Sequence, residues 1–193
     1  MDCYFRAFRE AVKTINSPRD LKDVLDTITR AVRKALDVKG SCLMLLDEKQ
    51  KTLEVVSTSG LSEAFLSKGP IGADRVIEDT LLSGKHYFTP DIATDPRIQY
   101  PDACKEEGIV SICTFPVVGK NQIIGVLRLY TDSRRDFSDD EVEFIEALAE
   151  QSGIAIDHAM KYEHLRKRES MLRLESVDIG GRKKFVLMRH RGG

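Results

Sequence analysis

The four cysteines are the first residues to consider, because a thiol can bind a metal, form a disulfide or act as a nucleophile. They are Cys3, Cys42, Cys104 and Cys113. None of them forms a CxxC pair, and no cysteine and histidine residues cluster with the close spacing of a metal site. In a reducing cytoplasm such thiols are expected to stay free and pack as small hydrophobic side chains. The sequence therefore predicts neither a metal centre nor a disulfide scaffold.

Arg128 is the single residue with the most informative position. It lies in the middle of a predicted strand, with Val126 and Tyr130 on the same face. A buried guanidinium needs a partner, which is either a carboxylate of the protein or an anionic ligand. A partly solvated strand face would remove that need, and it is the commoner situation for a charged side chain. Both interpretations stay open at this point.

The overall charge argues against two classes of partner. Thirty basic residues face thirty-one acidic ones, for a net charge of -1 over 193 residues. This balance gives no electrostatic reason to expect nucleic acid or an anionic membrane as a partner. No apolar run approaches the roughly 18 residues of a membrane helix, and the first residues lack a hydrophobic signal core. We expect a cytoplasmic protein.

Three helices are predicted, two in the first 36 residues and one in the last third of the chain. A narrow apolar seam near the start has the spacing of a helix that pairs with another helix, and it consists of Phe5, Phe8, Val12 and Ile15. The segment from Leu21 to Leu36 carries a wider stripe, which suits a helix that covers a sheet. A capping box at Ser138 and Glu141 starts a long third helix.

The long third helix is expected to leave the domain in its distal half and to pair with another helix, because a domain body rarely needs such length. The repeating positions that would form this pairing are Ile145, Leu148, Ser152, Ala155, Ala159 and Tyr162.

The strands are predicted as two hairpins. One joins Ser41–Leu46 to Thr52–Ser57, and the other joins Ile109–Val118 to Gln122–Thr131 through a short turn at residues 119–121. Between them lies an irregular insert with short helices, the stronger of which is predicted over Arg75–Leu82. This order predicts an α/β protein of the α+β kind, with a central antiparallel sheet. The terminal helices would cover one face and the insert the other.

Residues 1–175 are predicted to form this one domain, and residues 176–193 a basic tail. The tail is punctuated by glycine, with Phe185–Met188 as an apolar island. We expect it to be loosely ordered. A strand that docks onto another surface, or a contact with an acidic partner, is the alternative.

Several motifs together resemble a GAF domain. The first is the stretch Asp91–Arg97, followed by Gly108–Ser111 and by Phe115–Val118. The strand Ile123–Leu127 and the segment Phe137–Glu141 complete the pattern in the same order. The resemblance covers roughly residues 5 to 165, and it is nearest to GAF domains of bacterial sensor proteins.

The resemblance implies a pocket for a small molecule between the sheet and the insert, and a homodimer formed through the terminal helices. Arg97 and Tyr100 lie on the loop expected to line this pocket. Ser111, Cys113 and Phe115 share one strand face that could line it too, or could point into the helix-covered core. With Arg128 they are the candidate ligand-binding residues. The sequence identifies no cofactor, and many GAF domains keep only the scaffold.

Other activities of the family match less well. Free methionine-R-sulfoxide reductases use a set of cysteines around the pocket, whereas this chain has no third cysteine after Cys113 and no tryptophan. The signature of cyclic-nucleotide-binding members is approximated only at its end, by Phe137–Glu141. Haem binding would depend on His86, the one histidine near the insert, and a lone histidine is more often structural.

We therefore predict a non-enzymatic sensory or regulatory module that relays a signal through dimeric helices to a separate signalling partner. A thiol-dependent reductase is one alternative. A purely structural dimerisation module without a ligand is the other.

Overall fold

The computed structural model describes residues 4, 7–9, 21–47, 49, 51–73, 85–120, 122–179 and 182–189, with side chains as far as residue 162. The chain divides into two compact units, Met1–Ile156 and Asp157–Gly193. None of the helices in these ranges combines the length and apolar character needed to cross a bilayer. Three residues of the predicted first seam (Phe5, Val12 and Ile15) lie outside the described residues. The same holds for the helix predicted over Arg75–Leu82.

The first unit contains a six-stranded sheet in which every pairing is antiparallel. Its strand order is β3-β2-β1-β6-β5-β4, so β1 and β6 are central. The strands are β1 (Gly40–Asp47), β2 (Thr52–Ser59), β3 (Ile71–Gly72), β4 (Tyr87–Thr89), β5 (Ser111–Val118) and β6 (Ile123–Thr131). Both predicted hairpins, β1–β2 and β5–β6, are confirmed, as is the central antiparallel sheet.

Two residues with special backbone properties have clear positions in this sheet. A Cβ built on Gly125 would overlap the carbonyl oxygen of Met44 on the paired strand, so only glycine fits there without movement. Pro116 lies beyond the stretch of β5 that pairs with β4, and next to a register shift between Val117 and Val118. A proline tolerates such a position because it has no N–H to donate to a neighbouring strand.

The helices differ greatly in length. They are α1 (Leu21–Leu36), α2 (Glu63–Leu66), α3 (Pro101–Glu106) and α4 (Asp139–Met171). The predicted capping box starts α4: the Ser138 amide donates to Glu141 Oε2 at 2.9 Å, and the Glu141 amide donates to Ser138 Oγ at 3.4 Å. Arg135 adds a further contact at 2.5 Å to Glu141 Oε1. These bonds satisfy amides that would otherwise lack partners at the start of the helix.

Helices α1 and α4 cover one face of the sheet, which we call the helix-covered face. Their apolar stripes meet Phe115, Leu127 and Leu129, none of which has any exposed surface. A Cβ built on Gly153 would overlap the carbonyl oxygen of Val118, so α4 lies directly against the end of β5. The larger of the two described clusters of buried hydrophobic residues lies on this face.

The burial of α4 corrects part of the predicted dimer seam. Ile145, Leu148 and Ser152 have no exposed surface, and Ala155 is 7% exposed, so these four pack within their own chain. Phe8 is half-buried against the same cluster. The apolar positions on α4 were predicted correctly, but they pack against the sheet of the same chain. A helix face that fits a partner helix fits a sheet equally well. Ala159 and Tyr162 are not in this core and stay predicted dimer contacts.

The second unit contains the distal part of α4 and two further strands, β7 (Leu172–Ile179) and β8 (Arg182–Arg189). They pair antiparallel from Leu172 opposite Arg189 to Ile179 opposite Arg182. A loosely ordered tail was expected from residue 176, whereas the backbone forms a hairpin that begins earlier. The domain boundary at residue 175 stays a prediction.

Candidate functional site

The second face of the sheet is covered by two described segments of the insert, residues 60–73 and 85–110, and we call it the insert-covered face. Cys42, Met44, Val126 and Tyr130 point to this side from the central strands. Phe65 of the insert packs edge-on against Tyr130, with ring centroids 5.6 Å apart. The packing leaves a cavity of about 20 Å³, which is room for about one water molecule.

Arg128 reaches this cavity from the middle of β6 and is only 8% exposed. Its Nε donates to Thr114 Oγ1 at 3.3 Å, and its side chain also hydrogen-bonds to Tyr130. Burial raises the pKa of Tyr130, so the phenol stays protonated. Among the described residues, no carboxylate forms an ion pair with Arg128. The strand face is therefore buried, and the guanidinium is held by hydroxyl groups that leave its charge uncompensated.

Lys68 brings a second positive charge to the same cavity. Its Nζ donates to the Phe65 carbonyl at 3.0 Å and lies 3.7 Å from the centre of the Phe65 ring. Burial lowers the pKa of Lys68, and the nearby charge of Arg128 lowers it further, against opposing effects of Cys42, Cys104 and Glu107. Both causes disfavour the charged form of the Lys68 amine.

Arg97 also lines the cavity, but its charge is already compensated. Its Nε and Nη2 donate to Asp95 Oδ1 and Oδ2, each at 2.8 Å. Its guanidinium also lies 4.1 Å from the centre of the Tyr87 ring. Asp95 accepts a further bond from Thr89 at 3.0 Å, so the pair is anchored to β4. The principal role of this arginine is to hold the loop in place.

Two hydrogen bonds close the insert over the cavity, and we call them the lid bonds. The Tyr100 hydroxyl donates to the Pro70 carbonyl at 2.8 Å, and the Gly72 amide donates to Gln99 Oε1 at 2.8 Å. Gly69 has φ +116°, and a Cβ there would lie 2.9 Å from Tyr100 Oη. Since glycine alone adopts this φ easily, Gly69 lets the chain pass closely beneath Tyr100.

Of the six predicted ligand-binding residues, Arg97, Tyr100 and Arg128 line the cavity. The other three do not. Cys113 and Phe115 are buried in the helix-covered face, and Ser111 Oγ bonds to Thr131 and to the Ser133 carbonyl. The side chains of a strand alternate, and here Ile112 is the β5 residue that lines the cavity. The sequence left open which side this strand face meets, and Cys113 and Phe115 pack on the helix-covered side.

Three further residues line the cavity without having been predicted from the sequence: Lys68, Gln99 and Tyr130. Tyr130 could have been found, because it lies two positions from Arg128 and shares its strand face. Lys68 follows a four-residue helix in irregular chain, where no periodicity indicates which way a side chain points.

Of the three described cysteines, Cys104 and Cys113 lie apart. Cys104 packs on the insert-covered face and Cys113 on the helix-covered face, so the sheet separates them. Burial raises the pKa of Cys42 and of Cys113 to about 12, and burial also raises that of Cys104. These thiols stay protonated near neutral pH, and a protonated thiol is a poor nucleophile.

His86 lies outside the cavity. The His86 ring stacks on Phe115 with centroids 5.1 Å apart, and its Nδ1 lies 3.2 Å from Glu146 Oε1 on α4. It therefore lies on the helix side of the sheet, away from the cavity. In the part of the chain that the structure describes, no three metal-binding side chains cluster.

Comparison with known proteins identifies relatives of this arrangement. A family model described as a GAF domain matches residues 18–157. The formate hydrogenlyase transcriptional activator FhlA of Escherichia coli strain K12 is 19% identical over 184 residues, which is 91% of this chain. The chain spans only 26% of that activator's length.

Two solved structures show the same fold. The GAF domain of an Acinetobacter phosphoenolpyruvate-protein phosphotransferase is 24% identical and superposes with a TM-score of 0.70, covering 81% of this chain and 94% of that domain. The phycocyanobilin-bound GAF domain of a cyanobacterial phytochrome is 18% identical with a TM-score of 0.69, covering 83% of this chain and 97% of that domain.

Proposed function

Because the chain belongs to the GAF domain family, we propose that it is a sensory module that binds a small molecule in the cavity beneath the insert. The single observation that carries this proposal is the small cavity that the buried Arg128 lines. A buried charge without a counter-charge is costly, and a domain built for packing alone would place an apolar side chain there.

The sheet offers a direct route from the cavity to the helices. Arg128 points into the cavity, while its neighbours Leu127 and Leu129 are buried in the cluster that contains α4. We propose that a ligand bound to the guanidinium moves the β6 backbone and with it these two leucines. We propose that occupancy changes how α4 packs and so shifts its population between two positions.

The exposed distal part of α4 is proposed to carry the output. Met160 and Tyr162 are 63% and 67% exposed there, although both are large apolar side chains. Exposed apolar residues on a helix are suited to contacts with other helices, so we propose a homodimer through this part of α4. These contacts replace the predicted dimer contacts at Ile145, Leu148, Ser152 and Ala155, which pack within their own chain.

The relatives support a role in signalling. One is a transcriptional activator, and the matching region is about a quarter of it. Another is a chromophore-bound domain of a phytochrome, which holds a small molecule within this fold. We propose that the present chain works in the cytoplasm in the same general way, as a regulator of a separate signalling partner and without catalysis of its own.

The proposal is tested by light scattering together with native mass spectrometry on the full chain. We expect a homodimer at micromolar concentration and a co-purified small molecule. The double variant Met160→Glu/Tyr162→Glu should shift the protein to monomer, whereas Lys161→Ala on the same helix should not. A wild-type monomer at high micromolar concentration would rule out the relay through α4.

A reductase is disfavoured by the separation of Cys104 and Cys113 and by their raised pKa values. We expect no turnover of free methionine-R-sulfoxide by the wild-type protein. Turnover that is lost in Cys113→Ser would overturn this part of the proposal.

A further inference from the structure

We propose that the ligand is a small anion, specifically a carboxylate, that is held between Lys68 and Arg128. The inference deepens the proposed function and rests on it, since it names the chemical class that the cavity takes. Nothing in the fold of the relatives decides this class; the charges that line this particular cavity do.

The cavity lining is positively charged. Among the described residues that line it are Lys68, Arg97 and Arg128, and no aspartate or glutamate. Asp95 neutralises Arg97 by a two-pronged ion pair, which leaves Lys68 and Arg128. Arg128 lies close enough to Lys68 for its charge to lower the pKa of that amine. A negative charge placed between them relieves this repulsion.

The guanidinium of Arg128 has donors to spare. An arginine carries five N–H donors and keeps its proton throughout the physiological pH range. The described partners of Arg128 are the hydroxyls of Thr114 and Tyr130, which accept hydrogen bonds without cancelling the charge. The planar fork of a guanidinium matches the two oxygens of a carboxylate, and a charged acceptor gives a stronger bond than a neutral one.

The size of the cavity restricts the anion. At about 20 Å³ the cavity holds about one water molecule, far less than the several hundred Å³ of a drug-sized pocket. A ligand of three or four non-hydrogen atoms exceeds this volume, and we infer that it is admitted by movement of the half-buried Lys68 side chain. A larger anion requires the lid bonds to break, at Tyr100 and at Gly72.

The experiment compares charged and neutral ligands of the same shape. Sodium formate and sodium acetate are titrated against formamide and acetamide by calorimetry, at an ionic strength held constant with sodium chloride. We expect saturable binding of at least one carboxylate and no binding of either amide, because the amides lack the negative charge.

Variants locate the binding site. Lys68→Met and Arg128→Met should each weaken carboxylate binding by about tenfold or more, as expected for loss of a hydrogen bond between charged groups. Lys105→Met is the matched control, since it removes one positive charge from an exposed position on α3 that does not line the cavity. Should Arg128→Met fold poorly, Lys68→Met still decides the question.

The outcomes separate this inference from the proposed function. Amides that bind as tightly as the carboxylates would overturn the anion assignment and leave a sensory module. Carboxylate binding that survives in both variants would overturn the site. A neutral molecule found in native mass spectra, without carboxylate binding, would also defeat the inference alone. Only the lack of any ligand would defeat both.

Discussion

The two faces of the sheet are built differently, although they share the same strands. On the helix-covered face, Phe115, Leu127 and Leu129 have no exposed surface and meet the broad stripes of α1 and α4. On the insert-covered face, Met44 and Val126 lie beside a guanidinium, two thiols and a cavity. A helix of 16 residues can fill a sheet surface, whereas α2 and α3, with four and six residues, leave a gap.

One strand contributes to both faces. Consecutive side chains of β6 point to opposite faces, so Leu127 packs in the core beneath the helices while Arg128 lines the cavity. The helix-covered face should be sensitive to loss of volume, and the insert-covered face should tolerate loss of charge. Four substitutions test this contrast, and they are ordered by the size of the expected effect.

Leu127→Ala should be the most harmful change. The side chain is fully buried between the sheet and the helices, so its truncation loses apolar burial and leaves a cavity. We expect a decrease of about 2–5 kcal/mol in the free energy of unfolding, measured by urea denaturation. Val55→Ala, at a residue that is 43% exposed on β2, is the control and should change stability little. A small effect of Leu127→Ala would show that this face is loosely packed.

Gly153→Ala should come next. Alanine is normally better than glycine inside a helix by about 1 kcal/mol. Here the added methyl group would overlap the Val118 carbonyl, so α4 would have to move away from β5. We expect a net loss of about 1–3 kcal/mol in the same denaturation experiment. A gain in stability would contradict the close approach of helix and sheet, and Glu150→Ala at an exposed position serves as the control.

Glu141 makes the anchoring of α4 sensitive to acid. Burial acts to raise its pKa, but the Ser138 amide and Arg135 outweigh that effect, so the pKa lies below its usual 4.5. A carboxylate with a lowered pKa in the folded state stabilises the fold above the unfolded value. That contribution is lost as the pH falls through the folded value.

Glu141→Gln keeps an acceptor for the capping box and removes the charge. We expect it to be about 1 kcal/mol less stable than wild type at pH 7. The difference should shrink as urea denaturation is repeated at successively lower pH. A difference that stayed constant down to pH 2 would mean that the carboxylate does not carry the effect.

Arg128→Met should have the smallest effect on stability in ligand-free buffer. Removal of a buried charge without a counter-charge stabilises the fold, while the hydroxyls of Thr114 and Tyr130 lose a partner. These effects oppose each other, and we expect a net change within about 1 kcal/mol of zero by urea denaturation. A decrease in the free energy of unfolding as large as that of Leu127→Ala would contradict the proposed difference between the two faces.

The long regular elements were predictable because their patterns are periodic. The stripe over Leu21–Leu36, both hairpins and the capping box at Ser138 all follow from local spacing, and the structure confirms them. The resemblance to GAF domains is confirmed by the match over residues 18–157. Part of the candidate site was also visible, since a charged residue within a β6 strand that is otherwise apolar marks an exception that needs a reason.

Local spacing could not decide which part of the protein each strand face or helix face packs against. Alternation groups Ser111, Cys113 and Phe115 on one strand face but does not say which side of the sheet that face meets. Packing places Cys113 and Phe115 against the helices. For the same reason, Ile145 and Leu148 were read as contacts to another copy. Their spacing is equally good for a sheet, and only their burial shows which one they meet.

The amino-acid sequence alone determined the order of the elements, the antiparallel sheet and the presence of one arginine among apolar neighbours. Tertiary structure decided that this arginine is buried, that Lys68 joins it, and that Asp95 neutralises Arg97 instead. The reason is physical: periodicity acts over a few residues, whereas the electrostatic character of a cavity depends on charges that are distant in sequence and meet only when the chain folds.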